Sequence, residues 1–389
     1  MDGMAQFRSD PAAPGHAARS VAGVVRAVDW RSMDCESECF GWDALTLHAA
    51  EPNPFLESWF LLPALRALDP QGSVQLLRFE IGGRLAGLLP VRAERSYYGR
   101  PLPQLCAWVH PNCFLGAPLV AAGDEEEFWR ALFAWADAQG GAALFLHLRA
   151  MPLSGPLHSA LQEVLAEQQR LGAVVRREER ALLASSLSAE AYFEASMSGK
   201  KRKELRRQHA RLAELGTLTL TRQRDDEALD PWIAEYLALE ARGWKGAAGT
   251  ALADRITTTR LFTEALRGAA QCGRLERLTL RLDDKAIAML AQFITPPGAY
   301  SFKTTYDEDY ARYSPGVLLQ RENLALLDHG LVAWADSCAA ADHPMIERIW
   351  RERRPIGSLS IAIGGRLRRG LFHLIAAAET RRLQAREPA

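Results

Sequence analysis

Two stretches about 200 residues apart share one plan, and this constrains the fold more than anything else in the sequence. "VQLLRFEIGGRLAGLLPVRAE" reads as strand, Gly-Gly turn, strand; "RLTLRLDDKAIAMLAQFITPP" reads as strand, Asp-Asp turn, strand. Placing Arg84 on Lys285 superposes the two turns. A second correspondence follows each hairpin. "EEEFWRALFAWADAQGGAALFLHLRA" and "GVLLQRENLALLDHGLVAWADSCAA" both run helix, glycine, strand, the second through Gly330. The alternative is chance likeness between two α/β halves. The connections differ: "WVHPNCFLGAPLVAAGDEE" joins hairpin to helix in the first half, "YDEDYARYSPG" in the second.

The chain has 389 residues, enough for two domains of similar size. The expected division is a disordered lead-in at 1–28, a first α/β domain at 29–185, and a second at 186–389 that includes a C-terminal helix. Formal net charge is zero, which argues against bulk electrostatic binding to DNA or other nucleic acid. The six cysteines form no CxxC pair and no histidines cluster at ligand spacing, so neither a metal nor a disulfide framework is expected. Reduced thiols, and with them a cytoplasmic location, are the expectation. The N-terminal residues lack the apolar core of a signal peptide, and no run of about 18 apolar residues predicts a transmembrane segment.

Between the halves lies "SMSGKKRKELRRQHARLAELGTLTL", in which Lys200, Lys201, Arg202, Lys203, Arg206, Arg207 and Arg211 surround Leu205 and Leu212. A solvated helix face accounts for such a run; a wall for an anionic ligand is the functional alternative.

The connection in the second half carries the densest chemistry. Ser314 suits a helix N-cap, Pro315 the first helical position, and Gly316 has no side chain to block an approach. A helix starting there points unpaired N–H groups and its positive dipole end at the turn, a site for pyrophosphate, with Arg312 adding charge. The preceding strand ends in Lys303, Tyr306, Asp307, Glu308 and Asp309, the place where α/β folds put ligands. In "LALEARGWKGAAGTAL", Glu240 and Arg242 precede a break at Gly243, then Trp244 and Lys245; substrate contact and simple packing of the tryptophan stay open.

The order "GKKRKELRRQHARLAELG", "LEARGWKGAAGTA", "GRLERLTLRLDDKAIAMLAQF", "FKTTYDEDYARYSPGVLL", "GLVAWADS" resembles the acetyltransferase-type domain of CelD/BcsL-like proteins. These belong to the GNAT superfamily and are related to Fem-type aminoacyl transferases. The resemblance covers roughly residues 190–340. It implies two tandem GNAT-like domains, each a mixed central sheet flanked by helices, with a degenerate first half. Because the first half's connection lacks Ser-Pro-Gly and the acid-tyrosine cluster, that half is expected to bind no cofactor and to shape the acceptor cleft.

It also implies acyl transfer from acetyl-CoA or another acyl-CoA to an amine or hydroxyl on a small molecule or saccharide, in polysaccharide or cell-envelope metabolism. The donor's pyrophosphate would meet Ser314, Gly316 and Val317, with Lys303 and Arg312 serving its charge. Asp307 or Glu308 is the expected base, Tyr306 the acid, Asp336 a second base candidate, and Glu240, Trp244 and Lys245 contact substrate. The usual Gln/Arg-x-x-Gly-x-Gly/Ala loop is replaced by "RYSPGV". Two alternatives remain: Fem-like transfer from aminoacyl-tRNA, supported by the basic helix, and a scaffold that keeps the fold without catalysis.

Overall fold

The run "KAIAMLAQFIT" is apolar at nearly every position because both of its faces are covered. Met289, Ala291 and Phe293 pack under the helices Leu229–Arg242 and Ile256–Gln271, while Ala288 and Leu290 pack under the helix Pro315–Asn323. This strand sits near the centre of the second half in a computed structural model that describes residues 22–341, 343 and 345–384.

The first half supplies β1 (Val24–Asp29), β2 (Gln75–Ile81), β3 (Arg84–Glu94), β4 (Gln104–Ala107), β5 (Leu119–Val120), β6 (Phe145–Pro152) and β7 (Gly172–Leu183). The second supplies β8 (Leu218–Gln223), β9 (Leu275–Leu282), β10 (Lys285–Thr295), β11 (Gly298–Tyr306), β12 (Trp334–Asp336) and β13 (Glu352–Ala362). All thirteen join one mixed sheet in the order β1-β2-β3-β4-β6-β13-β7-β12-β11-β10-β9-β8, with β5 paired to β3. Residues 1–21 of the expected lead-in lie outside the described residues. The remainder corrects that expectation: from Val24 the chain is strand, pairing with β2 from Val24↔Glu80 to Asp29↔Gln75. Val24, Val25 and Val28 favour extended backbone and meet a ready strand edge there, and ladder hydrogen bonds outweigh the weak local signal.

The repeat read from sequence has a structural counterpart. In the first hairpin Leu85 faces Glu80 and Gly87 faces Phe79, which leaves Ala86 as a bulge. In the second, Ala286 faces Arg281 and Ala288 faces Leu280, which leaves Ile287. Placing Arg84 on Lys285 puts these two bulges on each other. Each bulged carbonyl also accepts a backbone N–H from the connection beyond: Ala86 from Ala121 at 2.8 Å, Ile287 from Asp307 at 2.9 Å.

The halves are interleaved. β13, from the second half, lies between β6 and β7 and pairs antiparallel with both. β7, from the first half, lies between β13 and β12. The border at residue 185 therefore separates the chain in order but not the sheet. Arg354 on β13 faces Arg180 on β7, and both guanidinium groups reach the wholly buried Asp336, at 3.0 and 3.5 Å. A layer of aromatics adds to the joint: Phe55 and Phe60 of the first half pack edge-on to Phe293, and Phe60 packs edge-on to Phe302. Among the described residues no helix is long and apolar enough to cross a membrane.

Candidate active site

β11 and β12 pair in parallel only from Gly298↔Trp334 to Tyr300↔Asp336. Beyond Tyr300 they part, while β11 stays bonded to β10 on its other side as far as Tyr306. The fork begins at a bulge. Ala291 faces Lys303 and Gln292 faces Ser301, so Phe302 is the extra residue. A bulge bends its strand and re-aims neighbouring side chains. Here it turns the Phe302 ring into the core, stacked on Phe293 at 4.7 Å, and leaves the β11 edge open toward a cavity of about 420 Å³.

Six of the residues expected from sequence meet at this cavity: Lys303, Tyr306, Glu308, Glu240, Trp244 and Lys245. Glu240 is buried at the end of the helix Leu229–Arg242 and is fully engaged, accepting from Lys245 Nζ at 2.7 Å and from the Leu252 N–H at 2.8 Å. After the break at Gly243, Trp244 starts a short helical turn, Trp244–Ala247. Its backbone N–H donates to Glu308 Oε1 at 2.7 Å and its ring is exposed. Lys303 has no hydrogen-bond or ion-pair partner among the described residues. Its ammonium lies over the rings of Phe114 and Phe302, at 5.1 and 5.6 Å. Burial, aided by the charge of Lys245, pushes its pKa down to about 8.

The other expected residues lie elsewhere. Asp307 is buried and occupied: it accepts from the Asp309 N–H at 3.1 Å and pairs with Lys285 at 2.7 Å, which binds it to the hairpin turn and not to the cavity. Asp336 is held by Arg180, Arg354 and the Cys338 N–H, so its oxygens are committed to joining the halves. Arg312 is exposed, stacked on Tyr313.

Ser314 occupies the N-cap position in a left-handed conformation, φ 55°, and its side chain caps nothing. Its carbonyl instead accepts from the N–H groups of Val317 and Leu318. Pro315 has no N–H, so Gly316 keeps the one N–H of the first turn without a partner among the described residues. A β-carbon at Gly316 would meet the Met345 sulfur, which therefore covers the approach expected for pyrophosphate.

Sequence reasoning missed Phe114, Cys338, His343 and Met345, which also line the cavity. Phe114 comes from the first half's connection and carried no signal, because nothing local tells a loop residue that it will wall a site in the other half. Burial raises the Cys338 thiol pKa well above its usual value and lowers that of the His343 imidazole. Among the described residues no group of three or more His, Cys, Asp or Glu is placed to hold a metal.

Comparison with known proteins bears on the fold. Residues 199–342 match the acetyltransferase (GNAT) domain family, a span that contains the fork and the helix after it. The whole fold is similar to FemX, at TM-score 0.54 and 10% identity over 87% of this chain and 98% of that one. It is also similar to a conserved protein of unknown function from Bacteroides thetaiotaomicron VPI-5482, at TM-score 0.53 and 14% identity over 87% of this chain and 100% of that one. The sequence matches no curated protein. The fold is α/β, with two halves around a shared sheet, and the span matched by the GNAT domain family lies in the second.

Proposed function

We propose that the protein transfers an acyl group from an acyl-CoA thioester to an amine or hydroxyl acceptor in the fork between β11 and β12. The observation that carries this reading is the unpaired edge of β11 over residues 301–306. That edge runs about 17 Å at 3.3 Å per residue and offers backbone donors and acceptors to an extended ligand with amides of its own, as a pantetheine arm has. The same N–H groups suit a thioester carbonyl as its oxygen gains charge. Glu308 is the proposed base, since the cavity's other carboxylate, Glu240, has both oxygens taken. Tyr306, at the helix end of the cavity, is the proposed acid for the leaving thiolate. The first half contributes Phe114 as a wall of the acceptor side.

The test is thermal shift with acetyl-CoA, longer acyl-CoAs and CoA. A ligand at a hundred times its Kd stabilises by about 2.7 kcal/mol, and no shift with any of them removes the reading.

A second reading, transfer from an aminoacyl-tRNA, is favoured by one feature. Met345 narrows the phosphate approach at Gly316, while the basic helix Gly199–Ala213 packs against the turn Glu308–Tyr313 beside it. Binding of a tRNA that falls steeply with salt, with no CoA binding, would select it.

A further inference from the structure

The chain has six lysines, and five of them are either exposed or paired. Lys200, Lys201 and Lys203 lie on the solvated side of the basic helix; Lys245 holds Glu240, and Lys285 holds Asp307. Lys303 differs from all of them. It stands inside the cavity, between the fork at Tyr300 and the helix start at Pro315, over two aromatic rings and next to a second cation.

We infer that Lys303 is itself an acyl acceptor: a thioester seated in the fork acylates its Nζ. The inference rests on the fork being a thioester site. The amine lone pair attacks the thioester carbonyl carbon and a C–N bond forms. The C–S bond then breaks with its electron pair leaving on sulfur, and the proton lost by nitrogen ends on the thiolate. The products are a free thiol and a neutral amide at Lys303. The step needs no other reactant.

The geometry supplies what such a nucleophile requires. Desolvation against Phe114 and Phe302, with Lys245 nearby, favours the uncharged amine, as in other lysine nucleophiles. With its pKa at about 8, roughly a quarter of Lys303 is neutral at pH 7.5, against roughly one in a thousand for an ordinary lysine. Glu240 is already bound by Lys245 and the Leu252 N–H, and among the described residues no carboxylate is paired with Lys303. Acylation removes the charge of a lysine that has no ion-pair partner among the described residues and fills the cavity's centre, so the modified protein is closed to a second donor.

The full chain is incubated with S-acetyl-N-acetylcysteamine, a small thioester without phosphates, and in parallel with acetyl-CoA. Acetylation is followed at each lysine by peptide mapping, with CoA binding measured separately by calorimetry. The expected result is labelling of Lys303 at least about tenfold faster than of Lys200, Lys201 and Lys203, levelling off above about pH 8 while the exposed sites continue to rise. K303R and K303Q should lose only the fast label. Labelling by the small thioester alone, without CoA binding, supports the inference and removes the acyl-CoA reading. CoA binding with Lys303 labelled no faster than the exposed lysines overturns the inference and leaves that reading standing. Labelling no faster than the exposed lysines with either probe likewise overturns the inference.

Discussion

The two halves part company at one place in their shared plan. In the second half, residues 302–304, which include the bulge, carry β11 from Ser301 straight on to Thr305, so one strand passes the fork and keeps an open edge. At the equivalent place in the first half, the chain leaves the sheet after Ala107 and returns at Leu119, making an excursion of residues 108–118 between β4 and β5. That excursion is itself packed: Trp108, His110, Asn112, Cys113 and Leu115 are all buried, and the Gly116 N–H donates to the Ala150 carbonyl. His110 is driven down to about 3 by its burial. The same fork is therefore stopped with protein on one side and left hollow on the other. The stopper's tip, Phe114, then becomes a wall of the hollow one. The packing that fills one fork thus also builds a wall of the other.

The largest effect should come from the strand beside each fork. Asp336 and His147 occupy matching positions, one facing Leu182 of β7, the other Ser360 of β13. Asp336 is a buried charge held by two arginines, while His147 shares one 3.0 Å hydrogen bond with Ser360. Asp336→Ala should lower stability by about 3–5 kcal/mol, since it removes the buried carboxylate between two guanidinium groups and leaves them only longer ion pairs, Arg180 with Glu178 at 3.7 Å and Arg354 with Glu51 at 3.9 Å. His147→Ala should cost about 1–3 kcal/mol. Urea denaturation of both variants checks this, and equal losses would show that the two positions are not functionally distinct.

Phe114→Ala comes next. It should cost about 2 kcal/mol and admit water to Lys303, raising the pH at which that amine becomes reactive. Competitive acylation across pH reads this directly. The lowered pKa of Lys303 also predicts a sign. From about pH 8 to about pH 10.4 the unfolded chain holds a proton that the folded chain has released, so stability should rise with pH through that window. Lys303→Met should flatten the rise.

Met345→Ala and Gly316→Val probe the helix start from opposite sides. If phosphate binds there, removing the thioether should tighten CoA by up to about tenfold, and adding a branched side chain should weaken it by at least as much. Calorimetry that finds no change in either would place the donor's phosphates elsewhere. The smallest effect is expected from Lys200→Gln, Lys201→Gln and Lys203→Gln combined: less than about 0.5 kcal/mol in stability, with any loss of anionic ligand binding growing weaker as salt is added.

Much of this was legible in the sequence, for identifiable reasons. Hairpin turns and helix stripes are local, so the repeat and the apolar stripe of Leu205 and Leu212 could be read from residue order. What could not be read depends on partners distant in sequence. Asp307, Glu308 and Asp336 look alike as carboxylates, and only the fold reveals that Lys285 engages the first and two arginines the third. The left-handed turn at Ser314 was hidden because "SPG" fits an ordinary helix start equally well. The exchange of β7 and β13 was hidden because a strand's pattern records that it is covered, not by whom.

That exchange sets the order in which the molecule can be made. When residue 185 leaves the ribosome, β6 and β7 are complete but are not neighbours: the slot between them belongs to β13, whose last residue lies nearly 180 positions later. Both strands wait with unpaired edges through the synthesis of the whole second half. The last strand to emerge is the one that closes the first half, so neither half reaches its final sheet until both have been made.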